Sequence, residues 1–474
     1  MRMNNKEILV SGSKFCKIDI VILVLAGLLS LITLIANPSY FSHDEWQRFD
    51  YFSNHGLLTY MQWSLHFSAG SGFGTPIRPV AFFLQGIHSI FFQNYPFIVH
   101  LMSAVNTIFI GIAVYMGCLR FRLCRRTAIL SAVLFMINPL TTLATGWSAA
   151  LMDQLYVSFG LLALYLADSY ILEEKKDFFK LLLISTCGML GVLSKETGIV
   201  FPATLLILLA LNSRVYISKW RRLLMAWVAW VAPIILYLLF RASAIQASFG
   251  TDLNIPYAAS FNFVVENIFT YWLYPFHPLI SEPITMWFQP IWSLWVAFII
   301  HCLLVLAIAV IFRWKTAALY LFSYFLFLVP VLFIQQKGAH YLFASAMPLS
   351  IAVACIATAR KTSLKVFGIL LAALLIYHGL FFQLQIYRDG RCMNRIVTTL
   401  EANYYAAGFP KNVYFTNDWD APAHVLYRLI SARTRVGDHE QVNLKAYENG
   451  FITQQSDLVL KLDNQCLLSR IIPK

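Results

Sequence analysis

Charge is what this sequence has least of: Asp, Glu, Lys and Arg make up 12% of its 474 residues, against about 25% in ordinary soluble domains. With 59% hydrophobic residues beside that figure, a soluble globular enzyme is excluded. Nucleotide- and metal-binding signatures are missing too: there is no Walker or Rossmann glycine loop, no GxSxG elbow and no HExxH helix. An ATP-driven pump, a dinucleotide oxidoreductase and a zinc protease therefore lack support. The eight cysteines are scattered, without a CxxC or a His/Cys spacing that would hold a metal. Only Cys392 and Cys466 lie in a polar stretch, where a disulfide and two free thiols are equal alternatives. Glycine is scarce at 22 residues while aromatics reach 15%, which rules out collagenous and disordered classes. No internal repeat, coiled coil or low-complexity tract is present.

What is there is a series of apolar runs. The first, Ile18 to Ala36, follows a basic leader carrying Arg2, Lys6, Lys14 and Lys17, and is long enough at ~1.5 Å per residue to cross a ~30 Å core. It has no small-residue cleavage site, so an uncleaved first helix with a cytoplasmic amino end is expected. Further runs lie near 97–117, 127–143, 152–170, 178–193, 198–211, 223–240, 291–312, 316–334, 341–358 and 363–382, about eleven in all. If Phe82 to Phe92 lies at the membrane surface rather than spanning it, every short basic loop falls on one side. These loops hold Arg120 to Arg126, Lys175 to Lys180, Arg214 to Arg222, Arg313 with Lys315, and Arg360 to Lys365, so that side is the cytoplasm. The net charge of +13 is then mainly a topology signal and implies no nucleic-acid partner.

Loops 37–96, 144–151, 194–197, 241–290 and 335–340 fall on the opposite face, together with the tail from Gln383. The tail has 11 Lys+Arg against 9 Asp+Glu. Its alternating runs Asn412 to Thr416 and Asp457 to Leu462, around a helical stretch near 421–432, predict a small α/β cap. The expected organisation is an all-α polytopic domain over 1–382 and a small extracytoplasmic domain over 383–474.

The scarce ionisable groups of the outer loops carry the functional argument, because such groups are costly near a bilayer. Ser42-His43-Asp44-Glu45-Trp46 sets two acids at the exit of the first helix, where a site at the membrane surface would keep a general base. A solvated interfacial loop anchored by Trp46 has equal weight for that segment alone. Asp153, at the mouth of a span, is either satisfied by the helix dipole or orients an acceptor hydroxyl. Leu193-Ser194-Lys195-Glu196 interrupts an apolar hairpin with charges where a plain turn would use Gly, Asn or Pro. Lys195 suits a phosphate as a compact point charge, and a snorkelling Lys195–Glu196 pair is the alternative. Lys337 and His340 could add cations beside a phosphate, and a snorkelling Lys and a capping His explain the two equally well in isolation. Transporters place their charges near mid-span, where this chain has almost none.

These segments resemble, in order, motifs of the GT-C superfamily of integral-membrane glycosyltransferases. The pattern is nearest the protein O-mannosyltransferase branch whose members carry transmembrane and tetratricopeptide repeats. Asp44-Glu45 resembles the family's catalytic acid site, Ile77-Arg78-Pro79-Val80 its Tyr-Arg-Pro-Leu, and Val99-His100-Leu101 to Asn106 its His-Leu-Val-Asn. Asn138-Pro139-Leu140 through Trp147 to Asp153 is similar to its His-Pro-Ile stretch ending in Gly-Arg-x-Asp. Leu193-Ser194-Lys195-Glu196 matches Leu-Ser-Lys-Glu, Tyr274-Pro275-Phe276-His277-Pro278-Leu279 resembles Pro-His-Pro-Leu, and His340-Tyr341-Leu342-Phe343 resembles Arg-Tyr-Leu-Tyr. The resemblance covers residues 18 to 358.

It implies a polyprenyl-phosphate-linked sugar as donor and inverting transfer to an acceptor hydroxyl. Asp44, with Glu45 beside it, would be the base and Asp153 the second acid. Arg78, Lys195, Lys337 and His340 would face the donor phosphate, and Glu196 and His277 the substrate. No cofactor and no obligatory metal are expected, since a monophosphate leaving group needs cations more than a divalent ion. Expected partners are the lipid-linked donor, a surface glycan such as O-antigen or a lipid acceptor, and membrane lipids of a bacterial inner membrane. Protein O-glycosylation and a lipid-linked oligosaccharide flippase are the alternatives. Leu151 and His340 replace arginines of the family pattern and the tail has no tetratricopeptide repeats, departures that touch the sugar and acceptor more than the reaction class.

Overall fold

The computed structural model describes residues 17–40, 42–65, 78–173, 177–249, 259–277, 291–418, 422–430, 436, 442–446 and 457–471. The basic leader before Lys17, Thr75 to Ile77, Lys175, Lys176, Pro278 and Leu279 lie outside them.

Every predicted apolar run is helical, as a greasy chain requires when its backbone must satisfy its own hydrogen bonds in lipid. Among the described residues, five helices are long and apolar enough to span a membrane: Pro96–Arg120, Ser148–Leu172, Trp220–Ala242, Ser293–Phe312 and Thr362–Ala406. Arg125–Ile137 and Pro139–Gly146 make a sixth, bent by 51°. The remaining runs are shorter or interrupted. The first divides at Leu31 into Lys17–Ser30 and Ile32–Ile35, and the run from 198 begins as the 3-10 helix Glu196–Ala203, which contains Pro202. The chain is thus a polytopic all-helical membrane protein carrying a small α/β cap.

The bend after Ile137 arises at Asn138-Pro139, where proline cannot donate to the helix ladder. Asn138 recaps the chain by accepting from the Leu140 N–H at 3.0 Å. Thr141 and Thr142 return their hydroxyls to the Asn138 carbonyl at 2.8 and 3.1 Å. The half-helix Pro139–Gly146 that results is buried along its whole length and delivers the chain to the turn at Trp147-Ser148.

Helix Thr362–Ala406 has 45 residues, about 68 Å at the usual rise, roughly twice the hydrocarbon thickness. Its second half rises as a stalk, so the expected division at 382/383 falls inside one continuous helix. Gly368, Gly379 and Gly390 recur every eleven residues, about three turns, and mark one face of it. A Cβ there would overlap the Ala357 backbone, the Ile137 carbonyl oxygen and the Asn37 side chain in turn.

The stalk's Met393, Ile396, Leu400 and Tyr404 form one wall of the cap core. Strands β1 (Asn412–Asn417), β2 (Asn443–Ala446), β3 (Leu458–Leu462) and β4 (Leu468–Arg470) form a sheet of order β2-β1-β3-β4. β1 is parallel to β2 and β3, with Val413 opposite Leu444 and Leu458, while β4 runs antiparallel to β3. Helix Ala423–Ile430 connects β1 to β2. The two strands and the helix match the sequence expectation; β2 and β4 are additional. Cys392 and Cys466 form a disulfide that ties the stalk to the β3–β4 turn.

Two buried acids outside the predicted site are also paired. Asp19 accepts from Arg125 and Tyr115, and Asp168 accepts from Arg120 Nε at 2.8 Å and from Tyr216. Each places an arginine of the predicted cytoplasmic loops on a carboxylate at the end of a helix.

Candidate functional site

Lys195 occupies the break between helix Phe178–Ser194 and the 3-10 helix Glu196–Ala203, in extended conformation, with its N–H donated to the Gly191 carbonyl at 3.0 Å. The hairpin closes because Gly198 lies directly against the Gly191 backbone, where a Cβ would come within 2.9 Å. Lys195 is turned inward, only 2% exposed, and forms an ion pair with Asp153, itself 1% exposed. Its ammonium also lies 4.6 Å from the centre of the Tyr341 ring. Burial pulls the Lys195 pKa below the ordinary lysine value, and the Asp153 carboxylate opposes that shift.

A second charge group adjoins the first. Arg78, outside the helical region as the residue before Pro79 prefers, forks onto Glu196, with its Nε donating to Oε2 at 2.7 Å. Arg241 Nη1 lies 3.5 Å from the same Oε2. Burial alone would raise the Glu196 pKa, but the Arg78 and Arg241 guanidiniums hold it well below the usual carboxylate range. Arg78 Nη1 also reaches Met152 Sδ at 2.7 Å, next to Asp153.

Aromatic rings close one side. The His340 ring stands edge-on to Trp147 at 5.1 Å and tilts against Tyr341 at 4.1 Å. Burial, followed by Lys195 and Arg78, pushes the His340 pKa well below its ordinary 6.5, so this imidazole is neutral at pH 7. Around the Asp153–Lys195 pair, Asp153 Oδ2, Tyr156 Oη, Thr197 Oγ1, Trp147 Nε1 and His340 Nδ1 are buried with no hydrogen-bond partner among the described residues. Such groups are costly unless something satisfies them, so their gathering here marks a place for a polar ligand.

The acids of the first loop divide. Glu45 is fully buried, with Oε1 accepting the Ser148 N–H at 2.8 Å and Oε2 accepting the Ser42 N–H at 3.1 Å. Burial raises its pKa, against the pull of those donors. Asp44 is at the surface, its side chain 53% exposed and 3.3 Å from His43 Nδ1. Glu45 thus clamps the loop to the turn that leads into Asp153, and Asp44 is left at the surface.

Glu45, Asp153, Arg78, Lys195, Glu196 and His340 are therefore linked through contiguous contacts, while Asp44 lies beside Glu45 in sequence with its side chain at the surface. Two expected residues have other engagements: Lys337 pairs with Glu266, and His277 bonds Ser293 Oγ at 2.7 Å, near His378. Arg241 and Tyr156 adjoin the cluster and were not singled out by the sequence pattern. Arg241 carried a signal, since it is a cation at the end of the apolar run 223–240. A polar ladder backs the site: Gln154 Nε2 donates to Ala144 O at 2.8 Å and Ser103 Oγ at 2.7 Å, and Asn106 Nδ2 donates to Gln154 Oε1 at 3.2 Å.

No family model and no curated protein matches the chain. Several solved structures do. The archaeal oligosaccharyltransferase AglB from Archaeoglobus fulgidus, in complex with an inhibitory peptide and a dolichol-phosphate, matches over 92% of this chain and 62% of its own, with 14% identity and a TM-score of 0.44. The apo form of the Archaeoglobus fulgidus oligosaccharyltransferase matches over 91% and 65%, with 12% identity and a TM-score of 0.46. This chain thus spans less than two thirds of the length of those proteins. ArnT from Cupriavidus metallidurans, bound to undecaprenyl phosphate, matches over 94% of this chain and 92% of its own, with 10% identity and a TM-score of 0.43.

Proposed function

We propose that the chain is a glycosyltransferase that moves a sugar from a polyprenyl-phosphate carrier to a hydroxyl of a cell-surface acceptor, such as O-antigen or another surface glycan, on the periplasmic face of a bacterial inner membrane. The observation that carries this is the set of cations gathered around buried polar atoms that have no hydrogen-bond partner among the described residues. Arg78, Lys195 and Arg241 meet Asp153 and Glu196 beside Asp153 Oδ2, Tyr156 Oη, Thr197 Oγ1, Trp147 Nε1 and His340 Nδ1, a setting that suits a phosphate group. These side chains supply the neutralisation for which a diphosphate donor would recruit a divalent ion.

In the step itself, the acceptor oxygen attacks the anomeric carbon from the side opposite the phosphate and Asp44 accepts the hydroxyl proton. The bond from that carbon to the phosphate oxygen breaks, the polyprenyl phosphate leaves with the bonding electron pair, and the configuration inverts. Asp44 supports this role because its side chain is 53% exposed, while the neighbouring Glu45 is held by two backbone donors. The Cys392–Cys466 disulfide supports an extracytoplasmic cap, since structural disulfides persist in oxidising compartments.

The test is Asp44→Asn in cells whose surface glycan is profiled by mass spectrometry. Loss of a general base typically costs 10²- to 10⁴-fold, so roughly that fall in modification is expected at normal protein level. Unchanged modification would remove Asp44 from the chemistry. Appearance of lipid-linked sugar on the wrong leaflet in cells lacking the gene would instead favour a flippase.

A further inference from the structure

Among the described residues, Trp46 alone packs against both the core of the cap and the aromatic cluster of the first outer loop. In that cluster its ring stands edge-on to Tyr40 and Phe49, 5.9 Å from each. The cap helix Ala423–Ile430 packs on the helix that begins at His43, so the contact joins two distant parts of the sequence.

The cap is itself fixed relative to the membrane domain. The disulfide ties it to the stalk, and Arg428 Nη1 of the cap helix donates to Asp389 Oδ2 of the stalk at 2.9 Å. Beside Asp389, Gly390 lies against Asn37 at the exit of the first helix. Trp46 completes a closed circuit of contacts from stalk to cap to first loop.

Its position in the first turn gives this circuit a chemical consequence. Residues two apart on a helix differ by about 200° in direction, so when Trp46 is gripped by the cap, Asp44 is turned outward. Glu45 fixes the turn along one direction through Ser42 and Ser148, and Trp46 fixes its rotation. We propose, resting on Asp44 as the base, that Trp46 is a positioning residue through which the docked cap aims the Asp44 carboxylate at the acceptor hydroxyl. The cap would then set the turnover of the site as well as covering it.

The test uses the full chain in proteoliposomes, with lipid extract and envelope glycan from cells lacking the gene as donor and acceptor, and undecaprenyl phosphate as the binding probe. Trp46→Ala should lower turnover at saturating donor by roughly 10- to 100-fold, the scale of a misplaced catalytic group, and leave undecaprenyl phosphate binding unchanged. Hydrogen exchange across residues 42–50 should rise, and Trp46→Phe should restore most of the turnover. Asp44→Asn is measured in parallel. If it is inactive while Trp46→Ala matches the wild type, the positioning role is overturned and the base assignment survives. If Asp44→Asn is fully active, the base assignment falls and the role of Trp46 with it. Loss of undecaprenyl phosphate binding in Trp46→Ala, or no rescue by Phe, would make Trp46 a packing residue only.

Discussion

Asp153 and Lys195 stand 42 positions apart, yet each is the other's ion-pair partner in a site neither leaves for water. Removing one member of a buried pair strands the other charge, a cost of about 3–5 kcal/mol, whereas replacing both can be nearly neutral. Lys195→Met and Asp153→Leu should therefore each lower thermal stability in detergent strongly, while the double variant recovers much of it and stays inactive. Additive losses would show that the two side chains are not coupled. Glu196 gives a pH signature of a definite sign. Its pKa is lowered in the folded chain, so its contribution to stability is present above the ordinary value of 4.5 and is lost as pH falls toward the folded value. Stability relative to Glu196→Gln should fall as the medium is taken below about pH 4.5, and an unchanging difference would contradict the Arg78–Glu196–Arg241 arrangement.

At the scale of single elements, the long helix makes its contacts through absent side chains. Gly379→Ala would drive a methyl group into the Ile137 carbonyl at the break of the bent span, and backbone on both sides leaves no flexible group to yield. Gly117, inside helix Pro96–Arg120, has nothing within 4 Å of its would-be Cβ. Gly117→Ala should be neutral or stabilising by up to about 1 kcal/mol, and Gly379→Ala should destabilise by about 1–3 kcal/mol or more. A thermal-shift comparison of the two checks this, and equal behaviour would mean the helix does not pack on the break. This level is also where sequence and structure part. The apolar runs were legible because bilayer thickness and backbone self-satisfaction leave a polytopic chain few options. Ser194-Lys195-Glu196 was legible because charges in an apolar hairpin have no ordinary turn role. The Asn138-Pro139 bend is local chemistry, but nothing local says that Gly379 lies against its free carbonyl. Lys337 appeared as good a phosphate ligand as Lys195, and only the fold gives it Glu266 as a partner.

On the scale of the whole molecule, five loops of the predicted outer face supply residues to the cluster, Glu45 with Arg78, Trp147, Lys195 with Glu196, Arg241 and His340, while the apolar spans stay nearly uncharged. Glu45 holds the first loop to the turn before Asp153, the bent half-helix delivers that turn, and Arg241 arrives from the end of a span. The cap closes over the first loop from the second half of a helix about twice as long as the hydrocarbon core is thick. Convergence of this kind is invisible to spacing rules, so only the fold brings Arg241 and Tyr156 to the cluster. The acids and Lys195 are legible in the sequence because a chain with 12% charged residues has so few in those loops.

The measurement that bears most directly on the central claim is donor cleavage by the purified chain. Proteoliposomes are supplied with lipid-linked sugar and envelope glycan from cells lacking the gene, and free undecaprenyl phosphate is followed by mass spectrometry. The wild-type chain should release it in step with sugar appearing on the glycan, while Asp44→Asn and Lys195→Met release little or none. Intact lipid-linked sugar after prolonged incubation with the folded wild-type chain, or equal release by all three proteins, would contradict the account.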